Sequence, residues 1–111
     1  MATPQEAPII HAPERVRAIR GRATSDLQSV AALEGQIKDP AFRQRLQVIR
    51  HWLEDIESFF LASLSKESRT PQQEAYWLGQ AEMLLEIIIK PQLKTAQDAF
   101  EKYGPSVTLV G

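Results

Sequence analysis

The sequence predicts an all-α protein: a long antiparallel helical hairpin with a short third helix, an extended N-terminal arm and an extended C-terminal tail. Three observations carry this reading. Phe42, Leu46, Ile49, Leu53, Ile56 and Phe60 recur at alternating steps of four and three, the spacing of one helical face. Pro40 and Pro71 each follow a residue suited to cap a helix N-terminus, Asp39 and Thr70. The connection between the two long helical stretches is only a few residues, "KESR". A connection that short joins antiparallel neighbours.

Taken in order, residues 1–22 read as an extended basic arm. Pro4, Pro8 and Pro13 each bias the preceding residue away from helix. "PERVRAIRGR" could form one short helix, ended by Gly21. The helical domain spans residues 23–103. "SDLQ" at Ser25–Gln28 has the form of a capping box and opens a helix over about 25–38. Asp39 and Pro40 open the second, over about 40–67, with no interior glycine or proline. Thr70, Pro71 and Gln73 open the third, over about 71–103, which Gly104 and Pro105 stop. Residues 104–111 form the tail, where "SVTLV" alternates polar and apolar side chains. Such a tail would add to a partner's sheet edge or lie free.

Composition narrows the function classes. At 111 residues, with 43% apolar and 24% charged residues, the chain is one globular domain of modest core. Cysteine is absent, which excludes disulfides, thiol catalysis and thiolate-bound zinc. The first residues lack a basic and then apolar leader, so no secretory signal is expected and the location is cytoplasmic or virion. The longest apolar run is too short to span a bilayer.

Charge is unevenly placed. Residues 1–50 hold eight Lys/Arg against five Asp/Glu, and residues 51–111 hold five against nine. Arg15, Arg17, Arg20, Arg22, Arg43, Arg45 and Arg50 make a basic half that would meet an acidic protein partner or nucleic acid. The protein partner is the favoured reading, because no helix-turn-helix is evident.

The run "MLLEIIIKPQL" at 83–93 raises a packing question. At 100° per residue its apolar side chains cover roughly 240° of the helix, more than one neighbour can bury. Glu86 holds the single polar strip. Ile87–Ile89 are expected to be core, beneath the first two helices. Near the hairpin turn no third helix is expected, yet Trp52, Phe59, Phe60, Leu61, Tyr76, Trp77, Met83 and Leu84 concentrate there. They form the expected partner interface, with an arm carrying Ile9 and Ile10 as the alternative cover. Pro91 predicts a kink.

No catalytic constellation, cofactor motif or metal site is expected. His51 and Glu54 reverse the Glu-x-x-His order of carboxylate-bridged helical metal sites. His11 lies in the arm, and Glu82 and Glu86 share one helix.

"AYWLGQAEMLLEIIIKPQL" resembles a stretch of the small helical proteins of tailed bacteriophages, with Tyr76, Gly79 and Leu84–Leu85 at the matching positions. The resemblance covers about 20 residues and implies no active residues. It implies a non-enzymatic virion part of head, connector or packaging machinery, acting in many copies. The function expected is therefore a self-associating structural or assembly protein. The alternative is a nucleic-acid-associated accessory protein using the basic half.

Overall fold

The computed structural model describes residues 6–65 and 70–108, which are mostly helical with no strand among them. Three helical rods form a body of 63 × 21 × 21 Å. The first is α1, Glu6–Glu34. The second joins α2, Pro40–Asp55, through a π-helical turn at Ile56–Leu61 to α3, Ala62–Ser65. The third joins α4, Pro71–Met83, through a second π-helical turn at Leu84–Ile89 to α5, Lys90–Tyr103.

The expected extended arm is helix instead. From Glu6 onward the chain forms one uninterrupted α1 that passes through Pro13, Gly21 and Ser25. Ile19, Ala23, Val30 and Leu33 explain this, because all four are buried and spaced along one helical side. Burying that stripe outweighs the local cost of Pro13 and of a mid-helix glycine, which is about 1 kcal/mol for the glycine. A Cβ on Gly21 would meet nothing within 4 Å, so nothing in the packing demands glycine there. The short helix expected to start at Ser25 and end near residue 38 is replaced by this longer rod, which stops at Glu34. Gly35 and Ile37 then close a turn through backbone bonds to the Ala31 and Leu33 carbonyls, and Ile37 is fully buried.

Helix starts follow local chemistry. The Asp39 carboxylate accepts from the Phe42 backbone N–H at 2.9 Å, with Pro40 as first helical residue. Thr70 and Gln73 form a reciprocal capping box, at 2.9 and 3.1 Å. Gly104 stops α5 with φ of +72°, a backbone conformation that side chains with a Cβ resist. The expected extended tail is corrected for its first residues. Gly104–Ser106 make a 3-10 turn, and Val107 after it is buried. Residues 109–111, the rest of the expected tail, lie outside the described residues.

The π-helical turns set which side chains face inward. Phe42, Leu46, Ile49, Leu53 and Ile56 are buried at steps of four and three, but the next buried residue is Leu61, not Phe60. A π-helical turn bonds five residues back and inserts one residue into the repeat. Leu61, expected at the partner interface, is therefore core at 3% exposure. In the third rod Leu78, Ala81, Leu85, Ile89, Leu93 and Ala96 are buried. There the Lys90 N–H donates to the Leu85 carbonyl, five back, and the wide turn leads the helix into Pro91 without a break. Pro91 has no N–H to donate, and its ring would otherwise crowd the carbonyl four residues earlier.

The rods meet in an orderly way. α2 contacts the π-helical turn of the third rod and α5, while Ile56–Leu61 and α3 contact α4. α1 contacts α2, the Ile56–Leu61 turn, α4 and α5. The expectation that no third helix lies beside α4 is thus corrected, since α1 runs along it.

Candidate interaction surface

α1 is fastened through arginine and glutamate. The Arg15 Nε donates to Glu82 Oε2 at 3.1 Å, and Arg22 Nη2 to Glu86 Oε2 at 3.0 Å. Arg20 Nε reaches both carboxylate oxygens of Glu57, at 3.0 and 2.9 Å. Arg50 of α2 pairs with Glu34 at the far end of α1. Arg15 and Arg22 lie seven apart and Glu82 and Glu86 four apart, so each set shares one side of its helix. The carboxylates hold the Arg15 and Arg20 guanidinium groups above their usual pKa, through hydrogen bonding first. Glu86 is held below the carboxylate range by hydrogen bonds from Lys90 and Arg22.

This seam corrects the expected placement of the third rod. Its polar strip, Glu82 and Glu86, pairs with α1 while staying partly open to solvent. The neighbouring sides are left bare. Ile87 is 64% exposed and Ile88 37%, although both were expected as core; only Ile89 of the three is buried. Tyr76, Met83 and Ile87 recur at steps of seven and four and are 57%, 46% and 64% exposed. They make an apolar stripe along the outside of the third rod, with Gln80 between Tyr76 and Met83.

The second rod supplies a matching stripe. Val48, Trp52 and Phe59, at steps of four and seven, lie roughly half a turn from Arg50 and Glu57, the residues that face α1. Val48 and Phe59 are exposed, and Trp52 is half-buried against the core. The two stripes join through rings. Phe59 meets Phe60 and Trp77 edge to face, with centroids 5.3 and 5.4 Å apart. Trp77 meets Tyr76 at 5.4 Å in the same geometry.

The expected interface residues thus divide three ways. Phe59, Tyr76 and Met83 are exposed; Trp52, Phe60, Trp77 and Leu84 are half-buried behind them; Leu61 is core. Val48, Ile87 and Ile88 belong to the surface and escape a reading of the sequence alone. The paired spacing of Arg15/Arg22 and Glu82/Glu86 is the signal that could have found them, because it tells which side of the third rod is covered.

The basic residues divide as well. Arg15, Arg20, Arg22 and Arg50 are engaged with carboxylates of the same chain. Arg43 donates to the Ile37 carbonyl at 3.3 Å. Arg17 and Arg45 form no ion pair among the described residues. No group of three or more His, Asp or Glu side chains is disposed to hold a metal ion among the described residues, and the His11 side chain lies outside them. No described helix is long and apolar enough to cross a membrane. No family model, curated protein or solved structure matches the chain.

Proposed function

We propose that the protein is a non-enzymatic, self-associating structural subunit. In this reading the second and third rods form an antiparallel hairpin, α1 braces one side, and a second copy covers the other. The observation that carries it is the uncovered stripe of Phe59, Tyr76, Met83, Ile87 and Ile88. Burying a large apolar side chain stabilises by about 1.5–3 kcal/mol, so several side by side favour a partner. A second copy presents the same stripe, which suits a two-fold contact between like surfaces. The resemblance of residues 75–93 to small helical phage proteins suggests that the assembly is a virion part: head, connector or packaging machinery.

A nucleic-acid role draws less support. Four of the seven arginines it would use are held in internal ion pairs.

Light scattering over a range of concentrations tests the proposal. The mass should rise from one chain toward two or more. The double substitution Phe59→Ser with Met83→Ser should leave helical content unchanged and keep the protein monomeric. A wild-type mass of one chain at every concentration would sink the idea.

A further inference from the structure

At the end of the molecule far from the aromatic cluster, a hollow of about 390 Å³ opens between the first turns of α2 and the body of α5. Its floor is Phe42 and Ala96, at 4% and 5% exposure. Pro91 and Ala99 form a wall, and Thr108, next to the buried Val107, stands at the rim. Ala96 and Ala99 are the small side chains on the α5 side of the hollow. Arg45 is the single charged side chain among the described lining residues, and it forms no ion pair with another described residue.

We propose that this hollow between α2 and α5 binds a medium-chain aliphatic carboxylate, its chain on Phe42 and the alanines and its carboxylate on Arg45. Three features select that chemistry. The volume falls within the small-ligand range of about 300–1,000 Å³. Phe42, Pro91, Ala96 and Ala99 make the lining mainly apolar, and Gln92, Thr95 and Thr108 are its uncharged polar members. The guanidinium is a planar donor matched to a carboxylate, and no acidic side chain is among the described lining residues. The hollow adjoins the exposed stripes, since Arg45 and Pro91 lie one turn from Val48 and Ile87, but it is lined by a different set of side chains.

Calorimetric titration of the full chain with decanoate, decanol and decylamine, all below their aggregation limits, tests it. Saturable binding of one decanoate per chain is expected. Arg45→Glu, a change at an exposed position, should weaken decanoate about tenfold or more while leaving decanol unaffected. Ala99→Leu should fill the hollow and abolish both. Phe59→Ser should bind as wild type, which separates the hollow from the aromatic surface. No saturable binding overturns the proposal. So does decanoate affinity that ignores Arg45→Glu, and that arm decides alone if Ala99→Leu disturbs the fold.

Discussion

Leu53 and Ile87 are both large apolar residues in long helices, yet they carry opposite consequences. Leu53 is 1% exposed at the centre of the second rod. Leu53→Ala should cost about 2–5 kcal/mol in urea denaturation, the lost transfer energy plus a cavity. Ile87→Ala should change the stability of the single chain by less than about 0.5 kcal/mol, because little is buried there to lose. If Ile87 faces a second copy, the same substitution should instead lower the association constant. Asp26 makes a pH prediction. Burial raises its pKa above the carboxylate value of 3.8, and nearby Arg22 only partly opposes that. The folded state therefore holds the proton to higher pH than the unfolded chain does. Above the raised value the charged form is disfavoured by folding, and this penalty fades as pH falls through that value toward 3.8. Asp26→Asn should raise the melting temperature at pH 7, and its advantage should shrink on acidification. An advantage that grew toward acid would contradict the sign.

At the scale of elements, α1 is the informative one. Its exposed ion pairs are each worth about 0–1 kcal/mol, so the apolar contacts of Ile19, Ala23, Val30 and Leu33 supply most of its attachment. The pairs decide where it attaches. Reversing one tests this. Arg20→Glu should speed amide exchange over residues 15–24, and Glu57→Arg in the same chain should restore protection. Exchange unchanged by the first substitution would show that the apolar stripe alone positions the helix. The same element shows why part of the fold is hard to read from sequence. Pro13 and Gly21 are strong local punctuation, while the stripe of residues 19, 23, 30 and 33 is a long-range signal that runs straight through them. The π-helical turns are less legible still. An added residue in a turn changes which neighbour is buried, Leu61 in place of Phe60, without changing composition.

For the whole molecule, a slender rod 63 Å long has much surface for its volume, and a lateral partner is an efficient way to cover it. Apolar association is not screened by salt, whereas the Arg–Glu seam of α1 and any phosphate contact are. Mass measured by light scattering should therefore hold or rise in high salt. Dissociation with added salt would point to charge as the glue. The uneven charge of the chain takes on a different meaning at this scale. The basic first half and the acidic second half meet within one molecule, through Arg15, Arg20 and Arg22 on Glu82, Glu57 and Glu86.

The helical character, the caps at Asp39 and Thr70, the stop at Gly104 and the inward stripe from Phe42 to Ile56 were determined by the sequence itself. Each depends on side chains a few residues apart, and their chemistry acts locally. Which side of the third rod is covered was decided only by the tertiary structure. The helical pattern there is apolar over most of its circumference and fits several neighbours equally well. The choice falls to α1, whose arginines find Glu82 and Glu86 more than sixty residues away and leave Met83 and Ile87 in the open.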